Sequence, residues 1–206
     1  MKKFVMIICV CLFFISCGNG GSSGTASAQS NTSFEQFGLV ANRSDGIAGI
    51  TITSYNGPGG TVVIPREING IPVKVIGREA FRGKKIFSIT IPDSVISIGN
   101  RAFADNLLRS VSIPNSVTII QDLAFSNNLL DSVTIPNSIT SIGELAFGDN
   151  LITSFTIGQN VRFTRDYAYT GSASAHIVEG FSSNIYNDTA GTYDRRDVNT
   201  RTWTKR

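Results

Sequence analysis

The chain has 206 residues, 41% apolar and only 16% charged, with a mean hydropathy of +0.08. That is room for one ordinary domain with extra segments, enough apolar residue for a core, and a surface rich in Ser, Thr, Asn and Gly. The formal charge of +3 falls to 16 basic against 15 acidic residues once Lys2 and Lys3 are set apart, so no strongly basic field is left to attract nucleic acid.

Lys2 and Lys3 precede an apolar run at 4–15, which closes on Ser16-Cys17. This is a charged start, an apolar stretch and a small residue before a cut, the pattern of an export leader over residues 1–17. A membrane span needs ~20 apolar residues, more than this run supplies. The ending "FFISC" resembles the lipobox of bacterial lipoproteins, with Phe14 where Leu is usual. The resemblance implies that Cys17 is acylated and becomes the mature N-terminus. Cys9, Cys11 and Cys17 are the only cysteines, so the exported part holds one thiol and no internal disulfide, and its domain stands on packing alone. Several acyl chains on Cys17 would anchor it stably, where one gives marginal binding, and the membrane is expected to be met only through that lipid.

Residues 18–33, "GNGGSSGTASAQSNTS", carry no large apolar side chain and read as a flexible linker. Residues 34–60 follow, with Leu39 and Val40, the turn "RSDG", then Ile50 and Ile52. They predict a pair of N-terminal capping strands that "NGPGG" ends.

From 61 to 170 the sequence repeats every 22 residues. Ile91-Pro92, Ile113-Pro114 and Ile135-Pro136 keep this step, and Ile157-Gly158 continues it. Ala80-Phe81, Ala102-Phe103, Ala124-Phe125, Ala146-Phe147 and Ala168-Tyr169 form a second column, and Val73, Val95, Val117, Ile139 and Val161 a third. Several columns in register over four or five turns predict a mainly β solenoid of about five coils, the first lengthened around "INGIP". In "SVTIP" Val133 and Ile135 alternate with Ser132 and Thr134, the mark of a strand wet on one face, and proline stops it. Gly143 permits a tight bend, while Gln121 in the same column shows that positive φ need not be required there. "ELAF" predicts one helical turn that plants Phe147 in the centre. The column Asn106, Asn128 and Asn150 is expected to bond neighbouring backbone. Burying one coil's apolar side chains gains less than the entropy of fixing its backbone costs, so a lone coil cannot fold and stacking is required.

The phrases "SIGELAFGDNLITSFTI" and "SVTIPNS" resemble the treponemal, BspA-like type of leucine-rich repeat over residues 64–169, and "GTVVIPREINGIPVKVIG" resembles its longer first repeat. The tail "AGTYDRRDVNTRTWTKR" resembles a closing module that follows such repeats, and its alternation of Thr192, Tyr193, Thr202 and Trp203 predicts a β-hairpin covering the last coil within a C-terminal cap at 171–206. The resemblance implies a curved ladder of short strands in a surface lipoprotein. Members of that family are often exported, and several are implicated in adhesion to host proteins or other bacteria.

Catalytic and metal chemistry find little to stand on. His176 is the lone histidine, carboxylates are scattered without a shared motif, and no phosphate-cradling glycine loop follows a strand. No catalytic residue, metal or cofactor is expected. Two surfaces remain for binding. One is the outward strand ladder of Ser88, Thr90, Ser110, Ser112, Ser132, Thr134, Ser154 and Thr156, equally readable as soluble β-favouring filler. Phe87, Arg109 and Asp131, where successive strands begin, supply the specificity the ladder lacks. The other is the basic group Arg78, Arg82, Lys84 and Lys85, offset locally by Glu79 and read mainly as a solvated turn. The expected function is a lipid-anchored binding protein at the outer membrane or cell surface, whose partners are proteins or cell-surface ligands. The alternative is a structural or periplasmic envelope component without an external partner.

Overall fold

The computed structural model describes residues 34–42, 48–159, 161–163, 176–178, 181–182, 190–196, 199 and 202–206, all within the unit Thr32–Arg206. The leader with Cys17, the linker, the turn at 43–46 and the Ala168-Tyr169 step lie outside the described residues. After a short 3-10 turn, Phe34–Gln36, come β1 (Phe37–Asn42), β2 (Gly49–Tyr55), β3 (Gly60–Val63), β4 (Glu67–Ile68) and β5 (Ile71–Ile76). The regular coils carry β6 (Ile86–Thr90), β7 (Ser97–Ile98), β8 (Ile119–Ile120), β9 (Ser132–Thr134), β10 (Ser141–Ile142), β11 (Ser154–Ile157) and β12 (Arg162–Phe163). β13 (His176–Val178), β14 (Phe181–Ser182), β15 (Gly191–Asp194) and β16 (Thr204–Lys205) complete the chain.

Each coil contributes to two stacks. β5, β7, β8, β10 and β12 pair in parallel, one strand per coil, and β2 with its antiparallel partner β1 extends that sheet at the N-terminal end. On the other side, β3 pairs with β6 and β9 with β11, again in parallel. Residues 110–113 continue this second column but form no backbone hydrogen bond with either neighbour, so the expected ladder is interrupted at Ser110 and Ser112. The extra residues of the first coil are an antiparallel hairpin, β4 against β5. Its two-residue turn is Asn69-Gly70, with φ of 53° and 74°, as such hairpins demand.

The inward columns meet as expected. Val95, Val117, Ile98, Ile120, Ile142, Leu108, Leu130 and Ile152 are fully buried. Down the centre Phe81, Phe103, Phe125 and Phe147 stack with centroids 5.1, 5.2 and 5.3 Å apart and interplanar angles falling from 20° to 4°. Tyr55 extends the stack at the N-terminal end, 5.1 Å from Phe81, and Phe155 closes it edge-on at 5.7 Å. Each such contact adds about 0.5–1.5 kcal/mol beyond burial.

The Ala-Phe turns are not helical. Glu79, Arg101, Leu123 and Leu145, just before each Ala, have φ between 47° and 57°. The N–H groups here alternate in direction. Those of Glu79, Arg101 and Leu123 and of Phe81, Phe103 and Phe125 donate to the following coil, the Phe groups to the Ala102, Ala124 and Ala146 carbonyls at 2.7–2.8 Å. Those between and after them bond within the coil three residues back, as Ala102 does to the Gly99 carbonyl and Ala104 to that of Arg101. The column of Gly77, Gly99 and Gly143 serves proximity. A Cβ on Gly99 would lie 2.8 Å from the Ile76 carbonyl and one on Gly143 would lie 2.2 Å from the Asp122 nitrogen. At Gln121 the same place holds a side chain whose Oε1 accepts from the Asn100 N–H at 2.9 Å.

Asn106, Asn128 and Asn150 are buried and fully used. Asn128 Nδ2 donates to the Phe103 carbonyl of the preceding coil and to the Phe125 and Ser126 carbonyls of its own, while its Oδ1 accepts from the Leu108 N–H at 3.0 Å. Asn106 and Asn150 repeat the pattern. At the C-terminal end β15 lies antiparallel to β11 and carries β16 on its outer edge, so the expected hairpin covers the last coil. Tyr193 and Trp203 are buried there, and the Arg195 guanidinium sits 5.0 Å above the Trp203 ring.

Replacing Asn128 with Ala takes the acceptor from the buried Leu108 N–H and a donor from three carbonyls, and is expected to cost about 2–4 kcal/mol in urea denaturation. Asn115→Ala, at an exposed carboxamide without an intramolecular bond, is expected to stay within about 0.5 kcal/mol. Equal losses would contradict the division between the two asparagine columns.

Candidate binding surface

The outward ladder exists on both sides of the interruption. Thr90 on β6 and Ser132 and Thr134 on β9 are exposed, whereas Ser88, Ser154 and Thr156 are half-buried. Parallel register sets Ser132 beside Ser154 and Thr134 beside Thr156. Ser110 and Ser112 are exposed in the unpaired segment between the two halves. The face is longer than the repeats alone suggest. Thr61 and Val63 of β3 stand beside Ser88 and Thr90, and Thr192 of the cap stands beside Thr156 with their hydroxyls 2.9 Å apart.

Phe87 is 58% exposed, and Arg109 and Asp131 are exposed in the same column. Arg109 has no ion pair among the described residues, while Asp131 accepts from the Ser132 hydroxyl at 2.9 Å. Two residues before Arg109, Asp131 and Thr153 stand Leu107, exposed, Leu129, half-buried, and Leu151, exposed. This leucine column was not among the expected site residues. Its signal is the repeated pair Leu107-Leu108 and Leu129-Leu130, in which only one leucine can face inward.

At the other end of the strands an open groove of about 620 Å³ runs across three coils. Its sides carry Ser112, Thr134 and Thr156, its far rim Asn115 and Asn137, and the cap closes it with Ala190 and Gly191. Only the hydroxyl column was legible as a candidate. Asn115 and Asn137 were not among the expected site residues, and the cap's approach is a matter of tertiary structure.

The basic group is more neutralised than its local sequence suggests. Arg82 donates through Nε to Asp105 of the next coil at 2.7 Å, and Arg78, Arg82 and Arg101 each lie within 3.9 Å of Glu79. The hydrogen bond from Arg82, then one from Asn127, holds the Asp105 carboxyl below the ordinary carboxylate range, and the same pair raises the Arg82 guanidinium further. Lys84 is half-buried and Lys85 exposed. The backbone of His176 belongs to β13, and its side chain lies outside what is described. Among the described residues no group of three or more His, Cys, Asp or Glu could hold a metal, and no helix is long and apolar enough to cross a membrane.

Six copies of the BspA type leucine rich repeat match residues 64–185. The chain belongs to the BspA-type leucine-rich repeat family. Among solved structures, the T. pallidum leucine rich repeat protein TpLRR is 24% identical, with a TM-score of 0.55 over 71% of this chain and 70% of that one. A leucine-rich repeat protein from Bacteroides ovatus ATCC 8483 is 26% identical, with a TM-score of 0.53 over 72% of this chain, and the match spans 40% of that protein's length. No curated protein matches the chain. As a repeat-family solenoid the BspA-type chain is of a kind that typically serves as a non-enzymatic binding module.

Because the Asp105 carboxyl is lowered in the folded protein, its contribution is complete above the ordinary value near 3.8 and is lost as pH falls through the folded value. Its side chain is 37% exposed, so the contribution is under about 1 kcal/mol. Asp105→Asn, which keeps a residue tolerant of the φ of 59° found there, is expected to lower the melting temperature slightly at neutral pH, with the difference vanishing in strong acid. A difference that persists unchanged into acid would contradict the pairing.

Proposed function

We propose that this BspA-type repeat protein is exported, lipidated at Cys17 and displayed at the cell surface, where its strand face binds protein partners. One observation carries the binding reading. Phe87 and Arg109 stand exposed in one column beside a rigid ladder, and they are the residue types on which interfaces concentrate their binding energy. The exposed Leu107 adds apolar surface in the coil of Arg109, and Thr90, Ser132 and Thr134 supply exposed hydroxyls along the ladder. The order of leader, lone cysteine and small polar linker supports the anchor, because a single exported thiol has a use once it is acylated.

The anchor is tested by fractionation. Cys17→Ser is expected to move the protein from the membrane to the soluble fraction, and retention at the membrane would exclude acylation as the tether. Protease added to intact cells is expected to remove the folded body. Full protection would favour the periplasmic envelope role instead. Binding is tested by capturing a panel of soluble serum and matrix proteins on cells carrying the chain. The double change Phe87→Ala with Arg109→Ala is expected to weaken capture about tenfold or more with the melting temperature preserved. Unchanged capture would remove that column from the site.

A further inference from the structure

We propose that the groove between the ends of the outward strands and the cap is a binding site for a neutral saccharide. It is separate from the Phe87–Arg109 column and does not depend on the protein-binding role proposed for it. Its volume, about 620 Å³, lies within the range that small-ligand sites occupy. No described lining residue is ionisable, and none of them is aromatic or Arg. These residues offer no charge to an anionic or cationic ligand and lack the anchors of a protein interface. It offers hydroxyls from Ser112 and Thr134, with that of Thr156 already paired to Thr192, carboxamides from Asn115 and Asn137, and apolar surface from Pro136 and its neighbours. A carboxamide presents two donors and an acceptor side by side, which suits the alternating donors and acceptors of adjacent sugar hydroxyls, while apolar side chains meet the C–H face of the ring.

The carboxamides are free to act. Polar side chains elsewhere in the solenoid hold coils together: Asn106, Asn128 and Asn150 as described, Ser116 and Thr118 through the Val95 and Ile96 carbonyls. Even Asp93, one coil before Asn115 in the same column, is held by Arg66 Nη1 at 2.6 and 2.8 Å. Asn115 and Asn137 are exposed, and neither side chain makes a bond among the described residues. One substitution keeps this arrangement open. Where three coils carry Pro92, Pro114 and Pro136, the last has Gly158, and a Cβ there would lie 2.5 Å from Asn137 Oδ1. Glycine at 158 leaves the Asn137 carboxamide its place beside the groove.

The test uses the full chain and four neutral trisaccharides, maltotriose, cellotriose, mannotriose and chitotriose, by saturation-transfer NMR and calorimetry at millimolar concentration. At least one is expected to bind, with a charged oligouronate as a non-binding control. Asn115→Ala combined with Asn137→Ala is expected to weaken binding tenfold or more. Gly158→Ala, whose one close approach is to the Asn137 carboxamide oxygen with the Asn137 Cα at an ordinary 3.4 Å, is expected to weaken it severalfold with the melting temperature preserved. Phe87→Ala with Arg109→Ala is expected to leave it unchanged, which separates this site from the protein-binding column. Absence of binding by all four sugars, binding that survives the double asparagine change, or preference for the oligouronate would overturn the proposal.

Discussion

The described coils leave many of their hydrogen-bonding groups facing along the stack, and outside 110–113 the neighbouring coils are the partners that satisfy them. The left-handed residue before each Ala-Phe pair commits the coil to this, because it turns the Phe N–H from its own carbonyls to those of the next coil. The asparagine column then seals the place where the chain turns back, bonding at once to its own coil and to the one before it. Hydrophobic burial alone would accept many arrangements of these side chains. The directional bonds select one, in which the rings of Phe81, Phe103, Phe125 and Phe147 must lie about 5 Å apart.

A stack of this kind sorts its polar residues into two populations. Several of those between coils are bonded to backbone, as with Asn106, Ser116, Thr118 and Thr140, while the buried Ser138 hydroxyl has no partner among the described residues. Those on the outer faces, such as Thr134, Asn115 and Asn137, hold to a rigid spacing set by the stack and keep their bonding capacity for something else. Binding surfaces with preset geometry lose little entropy when they engage a ligand. That is the physical reason a repeat fold can serve recognition through its surface. The two ends of the ladder differ in chemistry. Where strands begin, aromatic, leucine and arginine side chains are exposed. Where the later ones finish, the described groove lining joins hydroxyls and carboxamides to aliphatic side chains.

Much of this was legible in one dimension. The 22-residue period, the inward Val, Ile and Phe columns and the bonding role of Asn106, Asn128 and Asn150 follow from identity recurring in register, since packing and burial constrain those positions alike in every coil. The helical turn expected at "ELAF" failed because Glu79, Arg101, Leu123 and Leu145 share no residue type that announces positive φ. Their conformation is imposed by the bonds the following residues make to another coil. The Arg82–Asp105 bridge spans 23 residues, one more than the period, so no local pattern marks it. The lapse in pairing at 110–113 leaves no trace in a sequence as strand-like as its neighbours. The groove needed the cap's Ala190 and Gly191, brought from outside the repeats.

If coils are stable only through their neighbours, damage at one junction must be felt on both sides of it. Native-state hydrogen exchange on Asn128→Ala measures this directly, through the Phe81, Phe103 and Phe125 amides of three successive coils, whose bonds to the next coil are independent of the Asn128 side chain. Loss of protection at all three amides, by a similar free energy, is the result that coupled coils predict. Faster exchange confined to Leu108, with the other amides as protected as before, would mean that each coil holds itself together.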